Sequence, residues 1–135
     1  MASLHLTVVT PEHKVVETEA EEVQLPGSEG YLGILPGHTP LITLLKTGVL
    51  SYRGAGRSGA FAVSAGFAEI VNDRVSVLAD LAEGASEIDA AAAHNERARA
   101  EGEMKTAGVD TLDAIRERLE LAEARLAVAK RSTAA

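Results

Sequence analysis

The chain has no cysteine and no tryptophan, and only 3% of its 135 residues are aromatic. Without cysteine there can be no disulfide, no thiolate metal ligand and no cysteine nucleophile, a composition that fits a reducing compartment. Few aromatics argue against modules that stack nucleic-acid bases and against an aromatic-lined cleft for sugars or other small molecules. Positive charge is scarce too: 13 Lys and Arg stand against 20 Asp and Glu, a net charge of −7. Such a surface repels phosphate, so no nucleic acid is expected as a partner. No apolar run approaches the ~18 residues that span a bilayer, and the start MASLHLTVV lacks the basic opening of a secretory signal. Any tie to a membrane is therefore expected to pass through a partner.

What the sequence does contain is a hydrophobic fraction of 46%, ordinary for a folded domain, and one stretch dense in turn signals. From Leu25 to Leu50, LPGSEGYLGILPGHTPLITLLKTGVL, two Pro-Gly pairs (Pro26-Gly27 and Pro36-Gly37) and the glycines Gly30 and Gly33 punctuate short apolar runs. The backbone must turn sharply between extended pieces, leaving exposed tips. A phosphate-binding loop is not expected, because the glycine intervals do not fit, no Lys-Ser/Thr follows, and Pro36 and Pro40 forbid the helix that would hold an anion.

On both sides of this stretch the apolar residues follow a period near two. Leu4, Leu6 and Val8 oppose His5, Thr7 and Val9, and Val23 and Leu25 oppose Glu22 and Gln24, as in half-buried strands. Further strands are expected over Gly48 to Arg53, Ala60 to Ala65, Phe67 to Val71 and Arg74 to Ala79, divided by Gly54-Ala55-Gly56, Gly66 and Asn72-Asp73. Strands so close together leave no room for crossover helices, so residues 1 to 84 are expected to form an antiparallel β-sandwich or flattened barrel.

Past Gly84 the pattern becomes helical. Ser86 and Asp89 have capping-box spacing, and an Ala-rich helix is expected from about Glu87 to Lys105. Thr106 to Val109 breaks it at Gly108, and Asp110 is the expected N-cap of a second helix. There Leu112, Ile115, Leu119, Ala122, Leu126 and Ala129 form a stripe suited to packing on another helix, while Asp113 and Lys130-Arg131 suit the helix dipole. Residues 85 to 135 thus read as an antiparallel helical hairpin. Alanine methyls bury little area, so docking of the first helix should be weak, while both helices are long enough to persist undocked. That combination suits a movable arm.

Among chemically active residues, His38 follows a Pro-Gly turn without an evident Ser or Asp partner, which disfavours acid-base catalysis. His5, His13, His38 and His94 are scattered, with no pair at helical i, i+4 spacing, so a zinc site is not expected. Glu29 and Tyr31 are placed at a turn, where rigid scaffolds often present binding residues. Arg116, Arg118, Arg125, Lys130 and Arg131 give the second helix a basic character that could meet acidic partners once extended. Docked, they read as a solvated face, with Asp113 and Arg116 one helical turn apart.

LPGSEGYLGILPGHTPLITLLKTGVL followed by AVSAGFAEIVNDRVSVLAD resembles the epsilon subunit of the bacterial F-type ATP synthase, at motif level from Val9 to about Glu83. The resemblance implies a non-catalytic rotor subunit on the cytoplasmic face of the bacterial plasma membrane. Its sandwich would bind the gamma subunit and the c-ring, coupling proton flow to ATP synthesis. It further implies c-ring contacts at Glu29, Tyr31 and His38, the family often having Glu where Tyr31 stands, and an arm that extends into the catalytic alpha/beta head. There Arg116, Arg118, Arg125, Lys130 and Arg131 would restrain ATP hydrolysis. Some members bind ATP in the folded hairpin through Ile/Leu-Asp-x-x-Arg-Ala. Ile88, Asp89 and Ala93 match that pattern, and Glu83 and Arg99 lie where the wider site has its acidic and second basic groups, but Ala92 replaces the motif arginine. ATP binding is expected to be weak or absent, with no other cofactor. The competing readings are a free-standing ligand-binding sandwich with a regulatory helical arm, and a small enzyme centred on His38.

Overall fold

A computed structural model describes residues 2–54 and 56–133, of 132 and 133 the backbone alone. Ala55, inside the expected Gly54 to Gly56 turn, lies outside the described residues. Eight strands come first: β1 (Leu4–Val9), β2 (Lys14–Ala20), β3 (Glu22–Gly27), β4 (Gly30–Ile34), β5 (Leu41–Leu45), β6 (Gly48–Gly54), β7 (Arg57–Val71) and β8 (Arg74–Gly84). A 3-10 turn at Ala85–Glu87 leads into α1 (Ala90–Met104) and α2 (Val109–Thr133).

The strands run in the order β2-β1-β8-β7-β5-β3-β4, with β6 between β3 and β7. The first half of β7 pairs with β6 and the second half with β5, so one long strand serves two layers. Sequence punctuation places two strands on either side of Gly66, whereas the structure has one bent strand. At the bend Ala65 has φ +37° and Gly66 φ +150°, and a Cβ on Gly66 would collide with the Leu78 carbonyl oxygen. The glycine marks a corner, which sequence punctuation alone cannot tell from a strand end.

Among the described residues pairing is antiparallel with one exception. β1 lies parallel to β8, from His5 opposite Arg74 to Val9 opposite Leu78. Adjacency in sequence favours antiparallel pairs, but a parallel pair needs only a long crossover, and the rest of the sandwich supplies it. Between the layers Leu4, Leu6, Val8, Val23, Leu25, Ile34, Leu50, Val63, Ile70, Val75 and Val77 are fully buried. The alternation of Leu4, Leu6 and Val8 with His5, Thr7 and Val9 is therefore a true inside-outside pattern.

The helices start differently from expectation. Ile88 is extended, and Asp89 is itself the N-cap of α1, its Oδ1 accepting from the Ala92 amide at 3.1 Å. Glu87, expected inside the helix, instead accepts from the Gly84 amide at 3.1 Å and tightens the 3-10 turn. In α2 the amides of Thr111 and Leu112 donate to the Gly108 carbonyl, so Asp110 stands in the first turn rather than at the cap.

α1 packs on α2, and α2 packs on β6, β7 and β8. Of the expected stripe Ile115 and Ala122 are buried, while Leu112, Leu119, Leu126 and Ala129 are half-buried. A second apolar face of α2, Ala124 and Val128, meets Ala62 on the outer surface of the sandwich, ringed by Val49, Ala60, Ala85 and Ile88. This contact is built largely of methyl groups, each stabilising by ~0.8 kcal/mol when buried.

Candidate functional site

Three surfaces stand out, and the first holds the residues expected at turn tips. Glu29 sits in the β3–β4 turn, but Tyr31 is on strand β4 opposite Pro26. Its ring is 62% exposed and its hydroxyl accepts from the Val49 amide at 2.9 Å, so the side chain lies flat over the β6 start instead of projecting from a tip. His38 lies in the β4–β5 connection. Its Nδ1 is 2.7 Å from the Thr39 carbonyl oxygen, which can only accept, so Nδ1 carries the proton. The Gly37 amide donates to Asp73 Oδ1 at 2.8 Å and joins this connection to the β7–β8 turn. The Glu29 turn is joined to the opposite end of β5, through Ser28 N–H to the Leu44 carbonyl and Lys46 N–H to the Pro26 carbonyl. Glu29 and His38 therefore stand toward opposite ends of the five-residue strand β5.

The second surface is one that sequence reasoning missed. Ile42 and Leu44 on β5, Phe67 on β7 and Leu78 on β8 are 68%, 66%, 42% and 47% exposed. Leu44 is opposite Phe67, and Phe67 opposite Leu78, so three large apolar side chains form a cross-strand row with Ile42 beside it. The row continues into the half-buried Val9, opposite Leu78 on β1, and a contiguous exposed apolar row of this kind marks a place where another surface docks. The run Leu41-Ile42-Thr43-Leu44-Leu45 is so apolar that alternation could not show which side faces water.

The third surface is a cleft of about 390 Å³ between the end of β8 and the hairpin, lined among others by Glu83, Ile88, Asp89, Ala92, Ala93, Arg118 and Arg125. Four of the five expected nucleotide-site residues meet here. Arg99 does not line it: its side chain is 70% exposed and reaches Glu96 at 3.6 Å on its own helix. Arg118 and Arg125, expected to be solvated when the arm is docked, are instead partly buried in ion pairs. Arg125 Nε and Nη2 reach the two Glu83 oxygens at 2.6 and 3.2 Å. Arg118 spans two carboxylates of α1, Glu96 at 2.7 Å and both oxygens of Glu103 at 3.0 Å. These contacts raise the Arg118 pKa, the Glu103 hydrogen bond first, and in return Arg118 holds the Glu103 carboxyl below its ordinary value. Arg116 pairs with Asp113 at 3.3 Å as the spacing suggests, and Lys130 and Arg131 are exposed in the last turns of α2.

Among the described residues no group of three or more His, Cys, Asp or Glu is placed to hold a metal ion, and no helix is long and apolar enough to cross a membrane. A β-sandwich with a bare apolar row on one flank and a helical hairpin clipped to another has the architecture of a docking subunit, in which function lies in surfaces. Comparisons with known proteins make the class specific. A family model described as ATP synthase, Delta/Epsilon chain, beta-sandwich domain matches residues 3–85. The ATP synthase epsilon chain of Solibacter usitatus is 46% identical over 129 residues, 94% of this chain and 96% of that relative. The epsilon chain of Koribacter versatilis is 48% identical over 101 residues, 75% of this chain and 71% of the relative. A chain in the mitochondrial ATP synthase of Euglena gracilis, solved as an OSCP/F1/c-ring assembly, matches with a TM-score of 0.80 over 100% of this chain and 83% of that one. At 19% identity that likeness speaks for the fold. The chain belongs to the ATP synthase epsilon-chain family.

Proposed function

We propose that the chain is a non-catalytic rotor subunit of an F-type ATP synthase. In this reading residues 1–84 couple proton translocation to ATP synthesis by joining the gamma subunit to the c-ring. Residues 85–135 form an arm that restrains ATP hydrolysis when it leaves the sandwich for the alpha/beta head. The observation that carries the reading is the row Leu44, Phe67 and Leu78 with Ile42 beside it, exposed while the hairpin covers the Ala62 surface instead. A permanently assembled subunit keeps such a row because a partner covers it, and gamma is the partner assigned to it here. Glu29 and Tyr31 are assigned to the c-ring at one end of β5. His38, at the other end, is likewise assigned to the c-ring. Through these partners the chain sits at the cytoplasmic face of the bacterial plasma membrane.

For the arm, the residues assigned to inhibition are Arg116, Arg118, Arg125, Lys130 and Arg131. The cleft at Glu83, Ile88, Asp89 and Ala93 is assigned weak ATP binding or none. Ala92 offers no guanidinium, and both cleft arginines are already bound to carboxylates. A missing charged hydrogen bond costs ~1.5 to 3 kcal/mol, ten- to hundredfold in affinity.

The test is a membrane complex carrying either the full chain or one ending at Glu83. Both should retain gamma and the c-ring on affinity purification, with ATP hydrolysis higher for the truncated form. Loss of gamma from the full-length preparation would sink the adaptor reading. Equal hydrolysis would sink the inhibitory arm alone.

A further inference from the structure

Two clusters of ion pairs hold the arm, and they hold different things. Arg125 lies on α2 and Glu83 near the end of β8, so their two-pronged pair joins the arm to the sandwich. Arg118, seven residues earlier on α2, grips Glu96 and Glu103, both on α1, and so joins the two helices to each other. We propose that these are two separate latches. Arg125–Glu83 governs docking of the hairpin on the sandwich, and Arg118–Glu96–Glu103 governs closure of the hairpin itself, so that the arm can undock while its helices remain paired.

The apolar contacts divide in the same way. Docking relies on Ala62, Ala124 and Val128, ringed by the partly buried Val49, Ala60, Ala85 and Ile88. Beside an apolar contact made mostly of small side chains, a half-buried pair with two guanidinium nitrogens engaged adds a directional hold on the arm. Breaking it by removing one partner also strands the other charge in a partly desolvated place. Closure of the hairpin draws on other groups, with Ala93 and Ala100 buried on α1 and Ile115 and Ala122 buried on α2. Because the two arginines share no carboxylate, loss of one leaves the other with its partners intact. The cleft between them is where the two latches come closest, with Glu83, Glu96, Arg118 and Arg125 all on its lining. A small ligand there would act on both at once by competing for the guanidinium groups.

The inference matters for regulation only if the arm reading above holds, but its test does not depend on that reading, since it uses the isolated full-length chain. The absence of cysteine allows spin labels at introduced cysteines without background. One pair, Ser58→Cys with Ala127→Cys, reports docking, and another, Ala91→Cys with Ala127→Cys, reports closure; all three positions are exposed. Arg125→Gln should add a long-distance component to the docking pair and leave the closure pair as in the parent. Arg118→Gln should broaden the closure pair. Glu83→Gln, which breaks the first latch from the sandwich side, should reproduce the Arg125→Gln result, and the exchange Glu83→Arg with Arg125→Glu should restore the short docking distance. An unchanged docking distance in both Arg125→Gln and Glu83→Gln would overturn the proposal. So would simultaneous broadening of both label pairs in either variant.

Discussion

The phenol oxygen of Tyr31 accepts the Val49 amide hydrogen at 2.9 Å, and the approach depends on the absence of a side chain at Gly48. A Cβ there would stand 2.6 Å from the phenol oxygen and 2.9 Å from the Pro26 Cβ. Tyr31→Phe should therefore cost about 1 kcal/mol, since water can still reach the amide. Gly48→Ala should cost more, roughly 2 kcal/mol, by displacing the ring. Chemical denaturation of the three proteins would give the order, and a Gly48→Ala protein as stable as the parent would contradict this packing.

At the β7 corner, Gly66→Ala should destabilise by roughly 3 kcal/mol. It combines a left-handed backbone with a collision against the Leu78 carbonyl. Gly30→Ala is the control: its φ is also positive, at +130°, but nothing lies within 4 Å of the added carbon. Urea midpoints should fall further for Gly66→Ala than for Gly30→Ala.

The His5 imidazole bridges two carboxylates of β2, with Nε2 2.7 Å from Glu17 and Nδ1 3.1 Å from Glu19. Hydrogen bonds that its ring donates to Glu19 and then to Glu17 raise its pKa above the ordinary 6.5. Glu17 is lowered by Lys14 and then His5, and Glu19 by His5 and then Ser3, from the ordinary 4.5. A raised histidine adds stability that is complete below its unfolded pKa and is lost as pH climbs through the folded one. Depressed carboxyls add stability that is complete above their unfolded pKa and is lost as pH falls through the folded one. The cluster thus contributes fully between about 4.5 and 6.5 and fades on both sides. Thermal melts of the parent and His5→Gln should differ more at about pH 5.5 than at about pH 8.5.

Ile42→Lys and Leu44→Lys should leave the fold within about 0.5 kcal/mol of the parent, because both side chains are already exposed. Retention of gamma on the purified complex should drop at least tenfold in the double variant, as a pair of charges enters an apolar interface. Undiminished retention would move the gamma contact elsewhere on the sandwich.

How far the sequence reveals this protein depends on how sharply each pattern separates inside from outside. Leu4, Leu6 and Val8 alternate with polar neighbours, and their burial is legible. Ile42 and Leu44 sit in a run apolar on both faces, so a docking surface reads as core until the register with Phe67 and Leu78 is known. In α2 the leucines advertise one face, while Ala124 and Val128, the residues that touch the sandwich, are too small to stand out beside them. The cleft residues Glu83, Ile88, Asp89 and Ala93 are grouped in advance by the family resemblance, not by any periodicity of their own. Arg118 and Arg125 join them only through the fold of the hairpin, and Arg99, one turn beyond Glu96 on α1, points away.

The parallel seam between β1 and β8 sets a constraint on biosynthesis. β1 cannot acquire its inner neighbour until Arg74 to Leu78 have been made, and until then its one hydrogen-bonded partner is β2. The nascent chain must therefore carry an unpaired greasy edge until β8 emerges. Closure then comes late and joins the most distant parts of the sandwich, a topology whose loop entropy slows folding.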